Sequence, residues 1–304
     1  MRARASADLD RHVHPSTMPD VMNPMKNPRT PLRVALIGAG RWGRRHAEKI
    51  AAHVGSRLVA VVDVELERAR SLAALHGGAA PVRTVDELRG LDVQAAVVAS
   101  NAGELAALAF ALVSQGAHVL VEKPVALEPE LARTLVRHAA GAGVLLVAGF
   151  VERFQPALTR LRPGRLLVIR RCGPCLDAAV PVALDWMIHD FDLALRFVSP
   201  ELTVVSAVGD ADALRVRCQG PGGRRVLLHA HRGPPQVSRR LWLDGERVHL
   251  RAPLGSDPLA AQWAAFVEQA HGGPPDSRLA TGADAVAALQ LAHAAALSLG
   301  SDKA

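Results

Sequence analysis

The sequence predicts a doubly wound α/β domain followed by an α+β domain with a mostly antiparallel sheet. Three observations carry this. Up to about residue 150, short apolar runs alternate with stretches of helical spacing, and the strand-like runs recur about every 25 to 35 residues. Beyond it the rhythm gives way to consecutive strand-like runs parted by glycine, proline and aspartate turns. A glycine cluster, Gly38-Ala39-Gly40-Arg41-Trp42-Gly43, joins the first apolar run directly to the first helical stretch. With 49% hydrophobic and 21% charged residues among 304, the chain can bury a sizeable core, which excludes disorder and fibrous repeats as its overall state.

Residues 1–31 mix five prolines with charges and show no apolar period, so they read as a disordered leader, with Met25 an alternative start to Met1. The runs 32–37, 58–62, 93–99, 118–121 and 144–148 read as buried parallel strands. Helices are expected over 41–53, 66–76, 104–114 and 129–140. The doubly wound domain so defined spans 32–150, and 151–304 form the second domain. That domain opens with a strand over 165–171 and a helix near 183–197. Five strand-like runs follow between residues 203 and 250, joined by hairpin-type turns, and helices over 259–270 and 283–299 close the chain.

Charge and composition narrow the function. The 36 basic and 29 acidic residues give +7, yet the arginines are scattered, aromatics are 3% and tyrosine is absent. Nucleic acid is therefore not the expected partner, and the positive balance favours a small anionic molecule. No stretch of 18 apolar residues lacks a charge or amide, so no membrane span is expected. Cys172, Cys175 and Cys218 are too few and odd in number for a disulfide framework, which suits a cytoplasmic setting.

The glycine cluster has the strand-to-helix context that a dinucleotide fingerprint requires. Gly38 permits the tight turn, Gly40 the approach of a pyrophosphate, and Gly43 close helix–strand packing. Arg41 and Trp42 share the loop. Asp63 ends the next strand, twenty residues after Gly43, where a carboxylate accepts ribose hydroxyls and repels a 2′-phosphate, so NAD is expected over NADP. Glu122-Lys123-Pro124 follows the 118–121 strand at the carboxyl edge, where proline fixes the backbone and the lysine ammonium can enter the crevice. Farther on, Asp185 and His189 share a helix face at i,i+4 spacing, with Asp192 close to that face. Histidine can accept a proton near neutrality, and a carboxylate one turn away can orient it. A metal site at these residues lacks a second histidine-rich segment. Cys172-Gly173-Pro174-Cys175 lacks the following helix that would activate a thiol, so neither zinc nor redox chemistry is expected there.

Taken together, Gly38 to Gly43 with His46, Glu122-Lys123-Pro124, Gly149-Phe150 with Arg153-Phe154, and Asp185 with His189 resemble the glucose-fructose oxidoreductase and inositol dehydrogenase family, Gfo/Idh/MocA. The likeness covers roughly residues 32–197. It implies a Rossmann domain, an NAD cofactor, and Lys123, Asp185 and His189 as catalytic residues that transfer hydride from a sugar hydroxyl. The stretch 151–156 and Asp185 to Asp192 look most like UDP-N-acetylglucosamine 3-dehydrogenases, which implies a nucleotide-sugar substrate and makes Arg153 its expected contact. In this reading Asp185 holds the His189 imidazole, and Lys123 polarises the substrate oxygen. Ser100-Asn101 stands where the family has Thr-Pro, and Leu105 where it has histidine. Ser100, Asn101 and Glu122 are still expected beside the cofactor. A homodimer or homotetramer is implied, and the rival reading is a dinucleotide- or sugar-sensing protein without chemistry.

Overall fold

The computed structural model describes residues 30–175, 178–233, 236–250 and 253–301. The leader expected over 1–31 falls outside them up to residue 29. The described residues from Pro31 onward form one compact unit. It is built on two sheets.

The first sheet begins with β1 (Leu32–Ile37), which the glycine loop joins to α1 (Arg41–Ala52). Then come β2 (Ser56–Val62), α2 (Leu66–Leu75), β3 (Ala80–Val82), β4 (Ala95–Val98), α3 (Leu105–Ser114), β5 (His118–Val121), α4 (Pro129–Gly141) and β6 (Leu146–Ala148). These six strands are parallel, and β1 lies between β2 and β4. The chain leaves β1 toward β3 on one side and returns to β4 on the other, so the order reverses there. Such a reversal opens a crevice at the carboxyl ends of the strands. The four residues of β4 and the last three of β5 are fully buried, Val and Ala against helices on both faces, which is why these strands read as unbroken apolar runs. The three-residue β3, with half-exposed ends, gave no such signal.

A 3-10 turn at Val151–Phe154 and a short α5 (Pro156–Thr159) lead into β7 (Leu166–Gly173). Next come α6 (Val182–Asp185) and α7 (Met187–Phe197), then β8 (Thr203–Gly209), β9 (Ala213–Gly220), β10 (Arg224–Arg232), β11 (Ser238–Leu243) and β12 (Glu246–Val248). The single helix expected over 183–197 is two, interrupted at Trp186. The second sheet runs β12-β11-β7-β10-β9-β8. Its pairings are antiparallel except that of β7 with β10. β10 and β11 therefore flank β7 instead of forming a hairpin. β7 takes the centre because Leu167 and Ile169 are fully buried in the core shared with α6 and α7.

The chain then returns to the first sheet. In α8 (Pro258–Ala270), Trp263, Phe266 and Val267 join Val34, Leu36 and Ile50 in one core, and Trp263 Nε1 donates to Ser56 Oγ at 3.0 Å. β13 (Ala280–Thr281) adds an antiparallel edge strand beside β6, and α9 (Gly282–Ser301) packs on both α4 and α7. Residues expected to belong wholly to the second domain thus cover part of the first. An aromatic pair on α8 finds its burial under α1, a partner some 200 residues earlier that no local pattern reveals. No helix among the described residues is long and apolar enough to cross a membrane.

Candidate active site

Every motif singled out in the first half lies at the carboxyl edge of the parallel sheet. Gly38 sits at φ 95°, and a Cβ on it would overlap the Ala99 carbonyl at the end of β4. A Cβ on Gly43 would overlap the Gly38 carbonyl. Both glycines are therefore demanded by the protein's own packing. Gly40 differs, because a Cβ there would meet nothing within 4 Å. It also caps α1 without a side-chain hydrogen bond, and the first turn carries no acid, so no acidic side chain of the first turn competes for its amides. An uncapped helix N-terminus and a glycine over empty space fit a pyrophosphate.

Asp63 follows β2 and is half-buried. Its Oδ2 accepts from Ala39 N at 2.8 Å and its Oδ1 from Glu65 N at 2.9 Å, so the carboxylate ties the glycine loop to the second strand. Arg68, a cation that could have welcomed a 2′-phosphate, is paired with Glu65 at 2.9 Å. Arg41 is exposed at the helix start, and Trp42 carries the Arg45 guanidinium over its ring at 4.9 Å. Ser100 Oγ donates to Glu104 Oε2 at 2.7 Å, and Asn101 is exposed beside it. Leu105 is buried in the core at the start of α3.

After β5, Glu122 turns inward. Its carboxylate meets the buried His46 Nε2 at 2.8 Å, and Gly149 leaves room for it, since a Cβ there would crowd Glu122. The Lys123-Pro124 peptide is cis. Lys123 Nζ reaches across to α6, donating to the Asp185 carbonyl at 2.6 Å and to Asp185 Oδ1 at 2.8 Å. An ammonium has three N–H groups, and these bonds use two, which leaves one for a ligand.

His189 lies in the first turn of α7, 9% exposed, with its ring edge-on to Phe150 at 5.8 Å between centroids. Its Nδ1 is buried without a hydrogen-bond partner among the described residues. Burial first, then the charges of Lys123, Arg171 and Arg239, holds its pKa well below the usual histidine value. The imidazole is therefore neutral near pH 7 and can accept a proton.

Two expectations about this region are corrected. Asp185 does not orient His189. The helix is interrupted between them, and the Asp185 carboxylate is shared by Lys123 and by Arg232 Nη2 at 3.1 Å. Two cations outcompete a neutral imidazole for one carboxylate. Arg153, expected to meet an anionic substrate, is 5% exposed and commits its guanidinium to Asp192, at 2.5 to 3.1 Å, and to Asp284 at 3.4 Å. A buried guanidinium without such partners would be costly, so Arg153 serves to lock α7 onto the 3-10 turn and α9. The Asp192 carboxylate is accordingly committed to Arg153.

The sequence reading missed Arg171, Arg232 and Arg239. Arg171 pairs with Asp190 at 2.6 Å, and Glu152 bridges Arg171 and Arg239. For Arg171 and Arg232 the signal lay in register: Leu167-Ile169-Arg171 and Leu228-Ala230-Arg232 place an arginine where the alternation calls for an apolar inward residue. The cysteine pair forms no disulfide, and Cys172 Sγ contacts Ser238 Oγ at 3.0 Å.

The buried neutral histidine implies a measurable pH effect. Below about pH 6.5 the unfolded chain protonates this residue while the folded one resists, so the unfolded state binds more protons and stability falls as pH drops. The slope from His189 is at most about 1.4 kcal/mol per pH unit. Partly buried His53 and His118 shift the same way. Melting temperatures measured between about pH 5 and 7 should decline toward acid, and less steeply in His189→Asn. Parallel profiles for the two proteins would contradict the assignment.

A parallel sheet with a glycine loop at its switch point and Lys123 at its carboxyl edge, joined through Asp185 to the second half that carries the neutral His189, is the architecture of a dinucleotide-dependent oxidoreductase. The comparisons agree. The profile described as GFO_IDH_MocA, oxidoreductase family, NAD-binding Rossmann fold, matches residues 32–150. The chain is 30% identical over 319 residues to the rhizopine catabolism protein MocA of Rhizobium meliloti, covering 90% of this chain and 96% of that protein. It is 36% identical over 188 residues to UDP-N-acetylglucosamine 3-dehydrogenase of Acidithiobacillus ferrooxidans, but this match covers only 59% of the chain and 58% of the relative. A crystal structure of that enzyme, GnnA, aligns with TM-score 0.79 at 26% identity over 89% of this chain and 98% of its own. The chain belongs to the Gfo/Idh/MocA family and is an NAD-dependent oxidoreductase.

Proposed function

We propose that this protein oxidises a secondary hydroxyl of a sugar or polyol, with a nucleotide sugar of the UDP-N-acetylglucosamine kind as the first candidate. The observation that carries it is that Lys123, at the edge of the first sheet, bonds Asp185 with an N–H to spare, while the buried His189 in the helix that follows keeps Nδ1 without a partner among the described residues. Bound NAD supplies the hydride acceptor. Gly38, Gly40, Arg41, Trp42 and Gly43 would hold its pyrophosphate and Asp63 its ribose, with Ser100 and Asn101 at the neighbouring strand end. His189 takes the proton of the substrate hydroxyl, so the carbon that loses hydride becomes a carbonyl. Lys123 uses its remaining N–H to polarise that oxygen as charge develops on it. Asp185 keeps the ammonium in place.

The test is a panel of UDP-sugars, free sugars and inositols, followed by NADH absorbance. Turnover of a nucleotide sugar supports the finer reading, and turnover of a polyol alone replaces it. Tight NAD binding without turnover of any member favours the sensing protein.

Asp63 sets cofactor choice in this reading. Asp63→Ala should weaken NAD by about 1 to 3 kcal/mol, through lost ribose hydrogen bonds and a loosened glycine loop. Titration of both cofactors checks it, and NADP binding as tightly as NAD to the parent protein would overturn the assignment.

We propose a homodimer or homotetramer with the outer face of the second sheet as its contact. That face, turned away from α6, α7 and α9, holds a hollow of about 650 Å³ whose lining includes Val168, Val208, Leu227 and Arg215. Light-scattering mass in solution tests it. The three cysteines are all free, in keeping with a reducing, cytoplasmic setting.

A further inference from the structure

Arg232 ends β10 with its side chain turned toward the helices and is 4% exposed. Its guanidinium makes contacts in three directions. Nη2 donates to Asp185 Oδ2 at 3.1 Å and to the Val180 carbonyl, and Nη1 faces Asp212 Oδ1 at 3.4 Å and Cys175 Sγ at 3.7 Å. Asp185 is thus gripped from both sides, Oδ2 by Arg232 from the second sheet and Oδ1 by Lys123 from the first.

We infer that Arg232 is a positioning residue of the active site: by occupying one oxygen of Asp185 it confines Lys123 to the other and fixes the ammonium with its third N–H toward the crevice. The inference rests on the reaction proposed for Lys123 and His189.

The alternative is that Arg232 merely fills space, and the structure weighs against it. The three inward positions of β10 that precede it are apolar and buried, Val226, Leu228 and Ala230. Arg232 Nε is buried without a partner among the described residues, a costly way to fill a core position. The Asp212 side chain is 64% exposed, so that pair adds little to stability. An apolar residue would serve packing as well. What an apolar residue cannot do is hold Asp185.

Removing Arg232 also leaves no orphaned charge, because Asp185 keeps Lys123. Arg232→Met is therefore expected to melt within about 5 °C of the parent. Its kcat should fall roughly 10- to 100-fold with KM for NAD unchanged, the scale of a small misplacement of a reacting group. Arg232→Lys, which restores one cationic donor, should recover much of the loss.

A second readout needs no substrate. The chain has only four lysines, Lys26, Lys49, Lys123 and Lys303, so acetylation by an N-hydroxysuccinimide ester can be followed residue by residue in the mass spectrometer. Lys49, paired with Asp257 on the α1–α8 side, is the internal reference. In Arg232→Met, Lys123 labelling relative to Lys49 should rise severalfold as Asp185 loses its anchor, and in Arg232→Lys it should stay near the parent. Unchanged Lys123 labelling, or kcat falling only in proportion to lost fold and without rescue by lysine, would overturn the inference. If Arg232→Met does not fold, Arg232→Gln, which keeps a donor without the charge, is read by the same two criteria. Normal turnover in His189→Ala sinks the proposed reaction instead, and leaves the labelling result to decide the clamp separately.

Discussion

Replacing His189 with alanine is expected to lower turnover of the best substrate by roughly 10²- to 10⁴-fold, the usual cost of losing a general base. The ring is buried against Phe150, its Nδ1 has no hydrogen-bond partner among the described residues, and its pKa is held well below normal. A structural histidine would spend its ring nitrogens on protein partners; this one spends neither in the hydrogen bonds of the described residues. NAD affinity should hardly change, because the glycine loop and Asp63 lie on the first sheet's edge. A loss in kcat at constant NAD affinity marks an interaction made in the transition state. Near-normal turnover would move the assignment to the sensing protein. His189→Asn should also be inactive while packing more conservatively, which separates chemistry from the cavity that alanine leaves.

Lys123→Ala is expected to cost a comparable factor, and the double variant with His189→Ala much less than the product of the two single losses. In the proposed reaction both residues serve one hydroxyl in one transition state, and groups that act as a unit are strongly non-additive. Lys123→Ala also strips Asp185 of one of its two cations, leaving it to Arg232. Its effect therefore includes a rearrangement of Asp185, and comparison with Arg232→Met separates the two. Strictly multiplicative losses would show that Lys123 and His189 act at different steps.

The glycine loop was legible in the sequence because its requirements are local. A turn at φ 95° and a helix start crowding its own loop demand glycine wherever they occur. The parallel strands were legible because β4 and β5 are buried on both faces and so read as apolar without a break. Lys123 and His189 stood out as candidates by residue type: an ammonium at a strand end of an open α/β sheet, and a histidine that can accept a proton near neutrality.

Partners were another matter. Asp185 and His189 share a helical spacing, which suggested a pair, but Asp185 bonds Lys123, 62 positions away, and Arg232, 47 positions away. Arg153 was expected as a ligand contact because the stretch 151–156 resembles nucleotide-sugar dehydrogenases. Its partners are Asp192, 39 positions on, and Asp284, on α9. The inward arginines of β7 and β10 were visible as breaks in an alternating pattern, yet their counter-charges were not.

The sequence by itself thus determined the alternation of the main strands and helices, the glycine loop and the chemical types of the candidate reacting groups, since these follow from hydrophobic period, backbone conformation and side-chain pKa. Only the tertiary structure decided which carboxylate each cation meets, that α8 and β13 return to the first sheet, and that His189 is neutral. Coulombic pairing and desolvation depend on distance and burial in three dimensions, and residues far apart along the chain set both.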